Sequence, residues 1–277
     1  MPKPERNAYY VSAATAITSE TLAHSILSQF PGVRFIEHRM PFVSTPEKAL
    51  AAANTINALY EKTGVRPLVF TTFVNKELRE TFLSHCCGFC LDFFEAFITQ
   101  MEEELNMPSV HTSGASHDVR DENAYDMRMD AINYTLMHDD GQTNEGLDEA
   151  DVILVGVSRC GKTPTSLFLA MQYGIKAANY PIIPEDFERG ELPEALHTVK
   201  NKLFGLSISP ERLSQIRNER RPGSRYASLE NCRYEVTECE RLMQDAGIKW
   251  LNSTTRSIEE ISATILTRFN LKNASPL

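Results

Sequence analysis

Several common signatures are missing from this 277-residue sequence, and each absence excludes a class of protein. No apolar run approaches the roughly 18–20 residues that span a bilayer, so no membrane protein is expected. The net charge is −9, whereas nucleic-acid binding requires a basic face, so a nucleic-acid partner is not expected either. The first residues, MPKPERNAYYVSAAT, contain no apolar core of the signal-peptide type. We therefore expect a cytoplasmic protein.

Metal-binding signatures are also lacking. The seven histidines do not form the HExxH pattern of many metalloproteases. Cys87 and Cys90 have the spacing of a zinc or redox motif, but a zinc site would require a second ligand pair. Cys232 and Cys239 lie on one apolar helical stripe. The six cysteines are therefore interpreted as reduced thiols that pack in the core: Cys86, Cys87, Cys90, Cys160, Cys232 and Cys239.

Strand-like and helix-like segments alternate along the chain, which is typical of a mostly parallel sheet with helices on its faces. The predicted strands cover residues 8–12, 33–40, 66–74, 151–156, 176–183 and 248–254. The predicted helices cover residues 18–30, 44–64, 75–84, 91–105, 124–141, 163–174, 210–221, 226–246 and 257–269. Residues 107–123 are polar and rich in turn formers, so they are predicted to form a loop.

The acidic, turn-rich stretch 139–150 is interpreted as a domain boundary. The predicted fold class is α/β. An N-terminal α/β domain with a mostly parallel sheet covers residues 1–146, and a C-terminal kinase-like α/β domain with a phosphate loop (P-loop) covers residues 147–277. A connection within a single domain is the alternative.

The stretch GVSRCGKT, residues 156–163, matches the phosphate-loop pattern G-x-x-x-x-G-K-[ST] in full. Its glycines allow backbone N–H groups to curl around phosphate oxygens, and the helix that follows directs its positive end at the anion. Lys162 is predicted to neutralise the outermost phosphate, and the Thr163 hydroxyl to ligate Mg²⁺. The predicted nucleotide-binding residues are Gly156, Val157, Ser158, Arg159, Cys160, Gly161, Lys162 and Thr163.

A phosphate loop does not identify the reaction. No NKxD guanine-binding motif occurs, and YPIIPED (180–186) is a poor match to the acidic strand end of an ATPase motor. Kinase-like phosphoryl transfer is therefore favoured. His138, Asp139 and Asp140 end a predicted helix, where acidic residues oppose the helix dipole. We interpret them, with Lys162, as catalytic: a carboxylate could take a proton or hold Mg²⁺, and the histidine could serve as acid or base.

Five arginines lie close together in an otherwise acidic chain: Arg212, Arg217, Arg220, Arg221 and Arg225. Guanidinium groups suit phosphate, and a phosphoryl group in transfer needs cationic partners. An exposed helix face is an equally good interpretation, so the role of this cluster is left open.

The extended stretch GVSRCGKTPTSLFLAMQYGIKAANYP closely resembles the bacterial phosphoenolpyruvate synthase regulatory proteins, relatives of the pyruvate, phosphate dikinase regulatory proteins. Further stretches that resemble this family are TGVRPLVFTT (63–72), YTLMHDDG (134–141), KLFGLSISPERLSQIRNERR (202–221), SRYASLENC (224–232) and WLNSTTRSIEEIS (250–262). The resemblance extends from about residue 8 to residue 271.

The resemblance implies a bifunctional enzyme. One activity is an ADP-dependent serine/threonine protein kinase that inactivates phosphoenolpyruvate synthase by phosphorylating a threonine. The other reactivates the target: inorganic phosphate attacks the phosphothreonine and pyrophosphate leaves. ADP, Mg²⁺, inorganic phosphate and the synthase are thus the expected partners, and a homodimer is left open. A small-molecule kinase and a nucleotide-sensing binding module without catalysis are the alternatives.

The sequence departs from the family near its N-terminus. A serine, an aspartate, a glycine or serine, and a threonine are expected after the first strand, whereas this chain has Ser12, Ala13, Ala14 and Thr15. If the missing aspartate binds a metal or a phosphate, one activity is weakened. If it caps the first helix, its loss costs about 1 kcal/mol, and Ser12 or Thr15 can compensate. The sequence leaves both interpretations open.

Overall fold

The computed structural model describes residues 3–111 and 122–271. The chain divides into two compact units, Met1–Asp118 and Val119–Leu277. The sequence predicted a domain boundary further along the chain, between residues 146 and 147. The reason for the difference is that the helix before the acidic stretch packs against the helix and the strand that follow it. Most of the predicted loop 107–123 lies outside the described residues.

The first unit is a four-stranded, all-parallel sheet with the strand order β2-β1-β3-β4. Side chains of β1 alternate between its two faces: Tyr9 and Val11 join one apolar cluster, and Ala8 and Tyr10 join the other. Its elements are β1 (Glu5–Val11), α1 (Ile17–Leu27), β2 (Arg34–Met40), α2 (Pro46–Thr63), β3 (Leu68–Thr71), α3 (Lys76–His85), β4 (Phe89–Asp92) and α4 (Phe93–Leu105).

The second unit is also a four-stranded, all-parallel sheet, with the order β6-β5-β7-β8. Its central strand β5 is buried throughout, as expected for a parallel strand covered on both faces. Its elements are α5 (Glu122–Met137), β5 (Val152–Gly156), α6 (Lys162–Tyr173), β6 (Ala177–Pro181), α7 (Pro184–Arg189), β7 (Leu203–Ser207), α8 (Pro210–Arg220), α9 (Leu229–Asp245), β8 (Trp250–Asn252) and α10 (Ile258–Arg268). The predicted α/β class with mostly parallel sheets is confirmed.

Two strands and one short helix were not predicted. The apolar run that contains β4 was assigned to a helix from residue 91, but the chain changes from strand to helix at Asp92, whose carboxylate accepts a hydrogen bond from Glu95 N at 2.8 Å. Strand β7 has Gly205 at its centre, which weakens the strand signal. A Cβ at this position would lie 2.3 Å from Met243 Sδ, so glycine permits the close packing of α9. The short helix α7 lies within the proline-rich stretch after β6.

Among residues 3–111 and 122–271, no helix combines the length and apolar character that a bilayer span requires.

Candidate phosphoryl-transfer site

The loop between β5 and α6 leaves the carboxyl end of the central strand β5, between its neighbours β6 and β7. In open α/β sheets, ligands bind at this switch point. Gly156 ends β5 with φ 151°, and a Cβ there would lie 2.2 Å from the carbonyl oxygen of Leu206. Gly161 precedes α6 with φ 101°, and a Cβ there would meet no atom within 4 Å. Glycine is thus required by packing at the first position and by backbone conformation at the second.

Most carbonyl oxygens of the β5–α6 loop are engaged by donors from the protein. A phosphate would be repelled by free carbonyl oxygens, so this arrangement favours an anion on the side of the loop amides. The first turn of α6 adds N–H groups that have no acceptor within the helix. The donors are Ile182 N to Gly156 O (3.1 Å), Lys162 Nζ to Val157 O (3.0 Å), Arg217 Nη2 to Ser158 O (3.1 Å), Ser253 Oγ to Cys160 O (2.8 Å) and Thr165 Oγ1 to Gly161 O (2.8 Å).

Lys162 is held inside this loop. The residue is only 4% exposed, and its Nζ donates hydrogen bonds to Gly156 O at 3.1 Å and to Val157 O. Burying an ammonium is costly unless it is hydrogen-bonded or paired. Two neutral carbonyl groups leave its charge uncompensated, so an anion bound by the loop would be stabilised.

Thr163, Asp139 and Asn179 form a hydrogen-bonded cluster beside Lys162. Thr163 Oγ1 donates to Asp139 Oδ1 at 2.9 Å, and Asn179 Nδ2 lies 2.6 Å from the same carboxylate oxygen and 2.8 Å from Thr163 Oγ1. Asn179 Nδ2 also donates to Asp140 Oδ1 at 3.3 Å. Asp139 is thereby joined to a residue 24 positions away in the chain.

The same cluster fits Mg²⁺. All its side chains offer oxygen atoms, and Mg²⁺ is commonly bound through one or two carboxylates together with substrate phosphates. Asn179 Oδ1 is buried without a hydrogen-bond partner, so it is available to a ligand or its water. Thr163 and Asp139 are the residues that would hold the ion with a nucleotide. Within the described ranges, no group of three or more His, Cys, Asp or Glu residues forms a separate metal site.

His138 and Asp140 occupy different environments. His138 is 4% exposed, and its ring nitrogens lie 2.8 Å from Tyr134 O and 2.7 Å from Glu145 O. Its ring also stacks on Tyr134, with centroids 3.9 Å apart. His138 thus holds the turn that presents Asp139, and its nitrogens are turned to the backbone. Asp140 has φ 52° and lines a cavity of about 390 Å³.

The middle of the loop contacts α8 and the segment that follows it. Ser158 Oγ lies 3.0 Å from the hydroxyl of Tyr226. Arg159 is exposed, with φ 76°. Cys160 is buried, and burial raises the pKa of its thiol. Val157 is also buried, so its side chain packs in the core and only its backbone is left to contact a ligand.

The arginine cluster separates into different roles. Arg217 is fully buried, pairs with Glu235 at 2.7 Å and donates to the Ser158 and Tyr226 carbonyl groups. It therefore anchors the loop to α8 and α9. Arg212 is exposed and contacts Gln215 on its own helix. Arg220 and Arg221 line a separate cavity, with Ser158, Arg159, Arg217 and Tyr226.

Sequence patterns missed Asn179, Glu235 and Ser253. Asn179 is a polar residue inside the buried strand β6, which was the available signal. Glu235 likewise interrupts the apolar face of α9. Ser253 follows a strand end and gave no signal. The cysteine interpretation holds for the three buried thiols, Cys160, Cys232 and Cys239, but is wrong for Cys87, which is exposed because it lies in the turn before β4.

Comparisons with known proteins cover nearly the whole chain. A family model described as kinase/pyrophosphorylase matches residues 8–266. A relative from Cupriavidus necator is 59% identical over 258 residues, which are 93% of this chain and 96% of the relative. A relative from Burkholderia multivorans is 56% identical over 267 residues, 96% of this chain and 98% of the relative. A third, from Janthinobacterium sp. strain Marseille, is 54% identical over 270 residues, 98% of this chain and 95% of the relative. All three bear the name phosphoenolpyruvate synthase regulatory protein.

Proposed function

The chain belongs to the kinase/pyrophosphorylase family, and on that premise we propose that it regulates phosphoenolpyruvate synthase through two opposed phosphoryl transfers. In one direction it is an ADP-dependent threonine kinase that inactivates the synthase. In the other it is a phosphate-dependent, pyrophosphate-forming phosphorylase that reactivates it. The observation that carries the proposal is the cluster of Thr163, Asp139 and Asn179 beside the buried Lys162. The names of the relatives support the choice of target.

The loop binds the diphosphate of ADP. Loop amides and the first turn of α6 contact the phosphate oxygens, and Lys162 Nζ exchanges a carbonyl partner for the outer phosphate. Magnesium, when bound, would supply positive charge that neutralises the phosphate oxygens. Thr163 and Asp139 would hold it, since their oxygen atoms already lie 2.9 Å apart.

The carboxylates of Asp139 and Asp140 have different roles. Asp139 Oδ1 accepts hydrogen bonds from Thr163 and Asn179, so it is committed to the cluster. Asp140 accepts a single longer bond, of 3.3 Å, and borders the 390 Å³ cavity, so it is the group available to an incoming threonine. His138 positions both through the turn rather than transferring a proton itself.

Both reactions make or break the bond between the threonine Oγ and the transferred phosphorus. In the kinase direction, the threonine Oγ forms a bond to the β-phosphorus of ADP, the bond between that phosphorus and the bridging oxygen breaks, AMP leaves, and Asp140 takes the hydroxyl proton. In the reverse direction, an oxygen of inorganic phosphate bonds to the phosphothreonine phosphorus. The P–Oγ bond breaks, the threonine takes a proton from Asp140, and pyrophosphate leaves.

The test is a two-direction assay with the purified protein and phosphoenolpyruvate synthase. With ADP, AMP and phosphothreonine should appear in equal amounts. After removal of ADP, added inorganic phosphate should release pyrophosphate and restore synthase activity. Lys162→Ala should abolish both reactions, whereas Lys249→Ala, an exposed lysine of the same unit, should leave both within twofold of wild type. ADP binding without transfer in either direction would contradict the proposal and favour a nucleotide-sensing module.

A further inference from the structure

A second cavity opens beside the β5–α6 loop, on the side of α8. It has a volume of about 290 Å³ and is lined by Ser158, Arg159, Arg217, Arg220, Arg221 and Tyr226. This volume is ample for a phosphate group. Four of its six lining residues are arginines, in a chain whose net charge is −9. This concentration of positive charge is local and requires an explanation.

Ordinary structural roles do not account for all four arginines. Arg217 is neutralised by Glu235 and serves the fold, although its Nε is buried without a hydrogen-bond partner. In the part of the chain that the structure describes, Arg159, Arg220 and Arg221 have no carboxylate within 4.0 Å. The C-terminus of α8 favours cations. That preference does not explain why Arg159, from another element and with φ 76°, faces the same cavity.

We infer that this cavity is a second phosphate-binding site, which holds a phosphate dianion next to the phosphoryl group bound by the loop. Three unpaired guanidinium groups and two hydroxyl groups, from Ser158 and Tyr226, are donors of the type that phosphate oxygens accept. Since Ser158 and Arg159 belong to both the loop and the cavity, the two anions would be neighbours.

The role of this second site in the reaction rests on the proposed function. Forming pyrophosphate requires two phosphorus centres in one site: the phosphothreonine whose P–Oγ bond breaks, and the inorganic phosphate whose oxygen forms the new P–O bond. Two like-charged phosphates repel each other, and the arginines offset that repulsion in a partly enclosed site. The loop holds one centre and the arginine cavity holds the other.

The first test measures binding and does not depend on catalysis. Radiolabelled inorganic phosphate and N-acetylphosphothreonine amide are each offered to the full chain in equilibrium dialysis, with and without saturating ADP. At least one of the two probes should bind while ADP is present, because ADP occupies the loop and leaves the cavity open. Which probe binds identifies the source of the phosphate. Displacement of both probes by ADP, or binding of neither, would overturn the inference.

The variants separate the two sites. Arg220→Gln combined with Arg221→Gln should weaken binding of the probe at least tenfold and change ADP affinity less than twofold. Both side chains are exposed, so the fold should be retained. Arg212→Gln on the same helix, outside the cavity, is the matched control and should bind as wild type. Lys162→Ala should show the opposite pattern, with ADP binding lost and the probe retained. Unchanged binding in the double variant would refute the second site even if both transfer activities are found.

Discussion

The two units share one strand order, but the loops after their first strands are built differently. In the first unit, Ser12 is buried and its Oγ accepts hydrogen bonds from Thr72 Oγ1 at 3.0 Å and from Ala14 N at 3.2 Å. In the second unit, the corresponding loop contains a buried lysine, positive-φ glycines and carbonyl groups engaged by the protein. The first loop engages its buried hydroxyl group within the protein, whereas the second holds a buried positive charge for a ligand.

The contrast shows that topology alone does not create the site. Both loops lie at the switch point of a parallel sheet, yet the loop of the first unit carries Ala13 and Ala14, whose side chains offer neither charge nor a hydrogen-bonding group. Helix α1 begins after Ala16, which has φ 63° and provides no side-chain cap. An aspartate at position 13 would thus precede the cap position, and neither Ser12 nor Thr15 caps the helix in its place. Of the two interpretations of the missing aspartate, the capping one is therefore not supported.

The largest effect is expected from a comparison of two aspartates, each of which accepts a hydrogen bond from a threonine hydroxyl group. Asp139 accepts from Thr163 in the second unit, and Asp92 accepts from Thr71 at 2.6 Å in the first. Asp139→Asn should reduce phosphoryl transfer by about 10²–10³-fold, because a neutral amide would hold Mg²⁺ less well than the carboxylate does. Asp92→Asn should leave transfer within twofold. Rates are measured across a Mg²⁺ titration, and an equal loss in both variants would remove the distinction between the units.

The next effect concerns the glycines that only the second loop contains. Gly156→Ala should destabilise the second unit by about 3 kcal/mol, because its Cβ would meet the Leu206 carbonyl group and its φ of 151° is strained. Gly161→Ala meets no atom within 4 Å and should cost only about 1–2 kcal/mol. Urea unfolding is followed by fluorescence of Trp250, the single tryptophan. Equal losses for the two variants would contradict the packing argument at Gly156.

Thiol reactivity should also differ between the units. A hydrogen bond with Cys90 lowers the pKa of Cys86 to about 7, whereas burial raises the pKa of Cys239 to about 12. In a Cys87→Ser background, iodoacetamide should label Cys86 increasingly between pH 6 and 8, as the thiolate forms, and should leave Cys239 unlabelled.

The origin of this shift is tested by Cys90→Ala in the same background. The change removes the hydrogen bond, so the labelling profile of Cys86 should move to higher pH. Labelling is measured by mass spectrometry of the peptide that contains Cys86. A profile that does not move would show that Cys90 is not the cause.

The smallest effect is expected from Ser12→Ala. The change leaves the Thr72 hydroxyl without its acceptor and should cost about 1 kcal/mol, with transfer unaffected. Amide hydrogen exchange of β1 and β3 measures the loss. A large fall in transfer would instead show that the first loop takes part in the chemistry, and the contrast between the units would be broken.

Most of the α/β architecture could be predicted from the sequence, because strand and helix periodicities are local. The missed strands β4 and β7 show the limit. Phe89–Asp92 is short and continues directly into a helix, and Leu203–Ser207 is interrupted by a glycine whose purpose is packing against α9. Both strands form because a neighbouring strand is available to pair with them.

The sequence by itself determined the β5–α6 loop, since its glycines, Lys162 and Thr163 are set by spacing along eight consecutive residues. Only the tertiary structure decided which groups surround that loop. Asn179 and Asp139 contact Thr163 although they lie 16 and 24 residues away from it in the chain. Arg217 contacts Ser158, which lies 59 residues away. These contacts depend on the order of strands in the sheet and on the path of α8. Spacing within a single segment carries no information about either, because long-range contacts arise only when the whole unit packs.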